Sequence, residues 1–150
     1  MAAITVLLAS ATQTRRAVCE QLLRGERGIR LVGKARTGLE AVAATGRLRP
    51  KIVLLDVGLY SAHGVPLLKG LRVHSPATRV ILLTQLDTQA RILEALSYGA
   101  RGCLETRMLR RFLAKAVRAV AADEAWVPRK LVARILDRLA RLASRQSRRR

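Results

Sequence analysis

Aromatic side chains are nearly absent: the 150 residues include one Trp, one Phe and two Tyr. A core must therefore be built from Leu, Val, Ile and Ala. Cysteine is equally scarce. Cys19 and Cys103 make no disulfide framework, and a reducing compartment, the cytoplasm, is expected. Neither cysteine, nor His63 or His74, has companions at zinc-ligand spacing. The cysteines read as packed small apolar groups, the histidines as loop or surface residues, and no metal site is expected. No apolar run reaches the ~18 residues of a membrane span. The opening MAAITVLLASA has no basic residue before a very short apolar run, so it does not read as a signal peptide. A Gly-rich phosphate loop, triad spacing and paired carboxylates are all lacking, which argues against an enzyme.

Acid is also in short supply, with 10 Asp and Glu against 29 Lys and Arg, a formal charge of +19. Residues 1–50 carry a net +6, residues 51–100 a net +2 and residues 101–150 a net +11. The excess lies in the last third. A polyanion such as nucleic acid is one expected partner, because Lys and Arg contacts to phosphate release counterions; a basic solvated surface with an Arg-rich tail is the alternative. What is present in quantity is apolar surface, half of all residues. A chain of this length suits one domain that buries roughly 68–70 % of its unfolded surface.

Short apolar runs alternate with helical patterns. Strands are expected at Ile4–Ala9, Arg30–Arg36, Ile52–Leu55, Val80–Leu83 and Gly102–Leu104. Helices are expected from Thr12 or Thr14 to about Arg24, over Leu39–Arg47 behind a Thr37 cap, over Val65–Val73, over Thr88–Tyr98 behind an Asp87 cap, and over Arg107–Ala122. Between Asp56 and Val65 a glycine-containing loop is expected. The third strand is apolar throughout, as a strand covered on both faces should be. Five βα units of this kind imply a parallel sheet with helices on both sides.

Pro128 opens one more helix, about Arg129–Ala143. Leu131, Val132, Ile135, Leu136, Leu139 and Leu142 form an apolar stripe, and Arg134, Arg138, Arg141, Arg145 and Arg148 form a second stripe beside it. This helix docks on its own domain, pairs with a second copy, or links to another domain. The end, SRQSRRR, reads as a flexible basic tail. The resulting division is a main domain over 1–122, a linker over 123–128, and an Arg-rich amphipathic helix with basic tail over 129–150.

The run VLLD (53–56), with RVILLT (79–84), ALSYGARGCL (95–104) and AVRAVAADEAWVP (116–128), resembles the receiver domain of bacterial two-component response regulators. The likeness is closest to LuxR-type transcription regulators and covers about residues 3–140. It implies a flavodoxin-like (βα)5 three-layer sandwich, strand order 2-1-3-4-5, with an extra C-terminal helix. It also implies phosphorelay signalling with a histidine kinase and a homodimer. DNA binding would lie in a helix-turn-helix domain outside this chain, which is then either a piece of a longer regulator or a receiver without an output domain.

The resemblance places the phosphoryl acceptor at Asp56 and the hydroxyl switch at Thr84, with the Gly58 carbonyl helping to hold a divalent metal. The family's acidic pair falls on Ser10 and Ala11, and its lysine on Thr106. Met-Pro becomes Leu59-Tyr60, a later acid becomes His63, and Cys103 replaces an aromatic switch residue. Phosphoryl transfer depends on positioning and charge neutralisation, and Mg²⁺ is held by one or two carboxylates with phosphate oxygens and waters. One carboxylate without a lysine neighbour is expected to bind Mg²⁺ weakly or not at all, so no cofactor is expected. Asp56 is then either a poor phosphoacceptor or a structural acid, with Arg15 a candidate partner by chain position. Three functions remain open: regulation by protein contact or dimerisation, a working phospho-switch at Asp56, or nucleic-acid binding through Arg134, Arg138, Arg141, Arg145 and Arg148.

Overall fold

The computed structural model describes residues 2–85 and 89–149. The expected Asp87 cap and its neighbour Thr88 lie outside the described residues. Five strands, β1 (Ile4–Ala9), β2 (Ile29–Ala35), β3 (Ile52–Asp56), β4 (Arg79–Thr84) and β5 (Gly102–Glu105), form one sheet in the order β2-β1-β3-β4-β5. All neighbours are parallel. The helices are α1 (Gln13–Arg24), α2 (Gly38–Leu48), α3 (Val57–His63), α4 (Val65–His74), α5 (Gln89–Ser97), α6 (Leu109–Ala121) and α7 (Val132–Arg148). Single 3₁₀ turns, Thr106–Met108 and Arg129–Leu131, lead into α6 and α7.

Alternation along the strands divides the core in two. Val6, Leu8, Ile52, Leu54, Ile81, Leu83 and Leu104 face α1 and α6. Leu7, Ala9, Val53, Leu55, Val80, Leu82 and Cys103 face α2 to α5. Leu131 is buried in the second layer, with Ile135 packed against it, so the base of α7 is built into the same core. The expected three-layer sandwich with an extra C-terminal helix is the architecture observed.

Local signals explain the helix starts. Thr37 caps α2 by accepting from the Glu40 N–H, and the Glu40 carboxylate accepts from the Arg36 N–H, close to a capping box. Asp56 caps α3 through the Gly58 N–H. That cap corrects the loop expected after Asp56: residues 57–63 are helical, and Gly64, at φ +69°, separates α3 from α4. Gly58 sits in the first turn, where its missing side chain costs little, while Leu59 and Tyr60 turn inward and are buried. The basic tail is also more ordered than expected, because α7 continues to Arg148.

Residues 123–128 run along the open edge of β5. The Trp126 N–H donates to the Arg101 carbonyl at 3.1 Å, and the Cys103 N–H donates to the Trp126 carbonyl at 2.8 Å. This parallel bridge opposite Gly102 covers an otherwise unpaired strand edge. The Trp126 ring packs on Phe112 of α6, centroids 5.8 Å apart.

Candidate functional site

The carboxyl ends of β1, β3, β4 and β5 carry Ser10, Asp56, Thr84 and Thr106 in turn, and Ser10 and Asp56 are bonded to each other. Asp56 is the last residue of β3 and is 6 % exposed. Ser10, wholly buried, follows β1 directly and keeps the ladder going through its N–H to the Ala35 carbonyl. Its hydroxyl donates to Asp56 Oδ2 at 2.7 Å and accepts from the Thr12 N–H at 3.1 Å. Arg15, in the first turn of α1, places Nη1 3.2 Å from the same Oδ2. The Gly58 N–H donates to Oδ1 at 3.2 Å. Asp56 therefore has three donors, one fully charged.

Arg15 and Arg16 stand at a helix N-terminus, where the helix dipole disfavours cations. Both are offset by acceptors at that end: Arg15 by Asp56, and Arg16 by the Ser10 carbonyl. The first turn of α1 carries no acid. A buried carboxylate needs a counter-charge, and here a guanidinium supplies it.

The donor set does not fit a divalent ion of the kind the resemblance implies. Mg²⁺ demands near-octahedral oxygen ligands with carboxylate charge. Here one carboxylate is present, its Oδ2 is held by Arg15 and Ser10, and exposed Ala11 adds no donor. Among the described residues, no group of three or more His, Cys, Asp or Glu side chains is placed to hold a metal.

Thr84 closes β4 and is 1 % exposed. Leu83 is the register partner of Asp56, and Thr84 that of Glu105. Thr106 opens the 3₁₀ turn after β5 and is half-buried. Beside it, Glu105 is paired with Arg107 at 2.6 Å and with Lys130 at 3.8 Å. A lysine thus does approach the end of β5, but it comes from the turn before α7 and meets an acid.

Two further links were not legible in the sequence. The buried Tyr60 donates its hydroxyl to Glu94 and ties α3 to α5. Burial first, and then this bond, push the Tyr60 phenol well above its ordinary range. No spacing rule connects residues 34 apart in different βα units. Arg134 bonds Gln89 on α5, so that member of the basic stripe contacts its own domain. Arg138 lines a groove against Leu93 and Leu96, while Arg141, Arg145 and Arg148 are exposed. His63 is exposed and packs its ring over Gly38, where a Cβ would come within 2.7 Å. Both thiols are raised by burial, Cys19 to about 11 and Cys103 to about 12, so neither is a nucleophile at neutral pH.

A family model described as "Response regulator receiver domain" matches residues 6–118. The chain is 33 % identical over 116 residues to the transcriptional regulatory protein LnrK of Bacillus subtilis, covering 77 % of this chain and 53 % of that protein. It is 29 % identical over 125 residues to the DNA-binding transcriptional activator DevR/DosR of Mycobacterium tuberculosis, covering 83 % and 58 % respectively. The chain spans about half the length of these curated relatives. In fold it is similar to a LuxR-family two-component response regulator from Aurantimonas sp. SI85-9A1, TM-score 0.80 at 21 % identity, covering 93 % of this chain and 99 % of that one. It is also similar to the isolated REC domain of RcsB from Salmonella enterica serovar Typhimurium, TM-score 0.78 at 19 % identity, covering 89 % and 98 %. No helix among the described residues is long and apolar enough to cross a membrane.

Proposed function

This chain belongs to the response regulator receiver family, and from that premise we propose that it is a receiver with a silent aspartate site. It serves a LuxR-type transcription regulator through protein contact or dimerisation, not through Mg²⁺-dependent phosphorylation of Asp56. The observation that carries this reading is the Arg15–Asp56 ion pair, completed by the Ser10 hydroxyl. In a working receiver an anionic carboxylate attacks an anionic phosphate, and bound metal and lysine offset their repulsion. Metal ions stabilise such transition states by several kcal/mol; losing ~4 kcal/mol slows a step about a thousandfold. Arg15 does not replace the metal, because its guanidinium hydrogen-bonds Oδ2 but cannot coordinate carboxylate and phosphate oxygens together as a divalent ion does. Ser10, Ala11 and Thr106 supply no charge in the remaining places, and Thr84 has no phosphoryl group to report.

Transcriptional relatives such as LnrK and DevR/DosR support a role in gene regulation, with DNA contact made by a helix-turn-helix domain outside this chain. A histidine kinase or another protein is the expected upstream partner, and the cytoplasm the expected location; no enzymatic turnover is assigned. The test is mass spectrometry after incubation with a small-molecule phosphoryl donor and Mg²⁺. We expect no adduct. A stoichiometric adduct that disappears in Asp56→Asn would restore the ordinary phospho-switch.

The exposure of Arg141, Arg145 and Arg148 supports one second reading, backbone contact to nucleic acid. It requires a salt-dependent DNA shift by this chain that is lost when residues 129–150 are removed. Backbone contacts carry no base information, so such binding would be weakly sequence-selective.

A further inference from the structure

The apolar arc of α7 is wider than the surface it docks on. Ile135, Leu139 and Leu142 line a groove of about 160 Å³ against Leu93 and Leu96 of α5. Beside that contact, Leu136 and Leu139 stay 59 % and 57 % exposed, and Val132 42 %. Val132, Leu136, Leu139 and Ala143 recur at 4-3-4 spacing, the seam of a two-helix contact. Taken as a and d positions, they are flanked on one side by Ala133, Ala140 and Ser147 and on the other by Ile135 and Leu142. Between residues 132 and 147, no seam or flank position carries a charge.

The arginines fall elsewhere. Arg134, Arg141 and Arg148 occupy the f positions, and Arg138 and Arg145 the c positions, away from the seam; Arg134 and Arg138 turn toward α5, and Arg141, Arg145 and Arg148 toward solvent. In a chain of net charge +19, two copies repel wherever basic surfaces meet. The α7 seam is a place where that repulsion is least and apolar surface is already exposed. An acidic partner protein would meet the arginine face instead.

We propose that this stripe is an interface between two copies of the chain, which pair through α7 in parallel about a two-fold axis. The inference rests on the reading that the protein acts by contact, and it names the surface. Orientation follows from where each domain sits. The receiver body lies on the Ile135–Leu142 flank. In an antiparallel pair both such flanks fall on the same side, and the two bodies collide. In a parallel pair each body lies beside its partner's small Ala133–Ala140 flank, so the bodies occupy opposite sides.

A helix of 17 residues, about 25 Å long, is marginal on its own in water. Its base is anchored by Leu131 and Ile135 in the core and by the Arg134–Gln89 bond, so dimerisation need not nucleate it. The interface is isologous: seam residues meet their own copies, and each Ile135–Leu142 flank meets the partner's Ala133–Ala140 flank.

The test is sedimentation of the full chain at micromolar to hundreds of micromolar concentration, with crosslinking. The wild type is expected to dimerise. Leu136→Glu should weaken association roughly a hundredfold, as expected for losing buried leucine contacts, with an unchanged circular dichroism spectrum because the side chain is exposed. Leu136→Cys should form a disulfide with its copy on mild oxidation, whereas Arg141→Cys should not. Cys19 and Cys103 are 0 % and 2 % exposed and give no background. A wild type that is monomeric throughout overturns the proposal. So does a dimer indifferent to Leu136→Glu, although that dimer would leave contact-based regulation standing. A phosphoryl adduct on Asp56 in a dimer broken by Leu136→Glu would sink the silent site and keep this interface.

Discussion

Replacing Asp56 by Asn changes charge at nearly constant shape, and the sign of its effect tests how the pocket is neutralised. Where several carboxylates crowd together without metal, removing one relieves repulsion and stabilises the fold. Here the carboxylate is alone and bonded to Arg15 and Ser10, so its removal should destabilise. Exposed ion pairs contribute ~0–1 kcal/mol, and breaking a fully buried pair costs ~3–5 kcal/mol. The side chains of Arg15 and Asp56 are 18 % and 9 % exposed. Asn can still accept from Ser10 and Gly58, and the freed arginine can reach water. A loss of ~1–2 kcal/mol is therefore expected. For a domain of this size that lowers Tm by about 2–8 °C. Thermal unfolding followed by circular dichroism measures it directly. A Mg²⁺ titration at matched ionic strength provides the second arm: tenfold excess over Kd at a real site would add ~1.4 kcal/mol, and no such gain is expected. A stabilised Asp56→Asn variant, or a Mg²⁺-specific rise in Tm that this variant abolishes, would refute the ion-pair reasoning.

Three other outcomes follow from the packing. Gly102→Ala would bring a Cβ to 3.0 Å from the Trp126 carbonyl; we expect displacement of the 123–128 strap, a changed Trp126 emission spectrum and a loss of ~1–3 kcal/mol. Tyr60→Phe removes the hydroxyl donated to Glu94; we expect a loss of ~1–2 kcal/mol and faster amide exchange in α3 and α5, and unchanged exchange would count against that link. The thiols set an alkaline limit. Burial raises Cys19 to about 11 and Cys103 to about 12 from the ordinary 9.0, so the unfolded chain loses these protons first. Their contribution is complete below pH 9 and is lost as pH rises through 9 toward 11–12, by of the order of 1 kcal/mol per unit per thiol. Urea midpoints that fall in this range for the wild type, and fall less for Cys19→Ala, would bear this out.

The strands were legible because burial on both faces demands uninterrupted apolar residues, as in Ile52-Val53-Leu54-Leu55. The α2 start was legible because Thr37 and Glu40 act within one turn. Helix α3 was hidden because its cap is the same Asp56 that ends β3, and because Gly58 looks like a loop residue. The wide apolar arc of α7 could be read, but not which half of it docks. That depends on Leu93 and Leu96, which reach it only after the fifth βα unit has folded back.

By itself, the sequence determined that five short apolar strands alternate with helices, that one acid ends the third strand, and that positive charge gathers toward the C-terminus. These are properties of neighbours along the chain, where periodicity and capping act over a few residues. Only the tertiary structure decided that Asp56 is matched by Ser10 and Arg15, 46 and 41 residues away, that Lys130 meets Glu105, and that Trp126 seals the edge of β5. Such pairs are chosen by strand order and by the low polarity of the sheet's carboxyl end. There a lone charge takes the nearest opposite one, however distant in sequence.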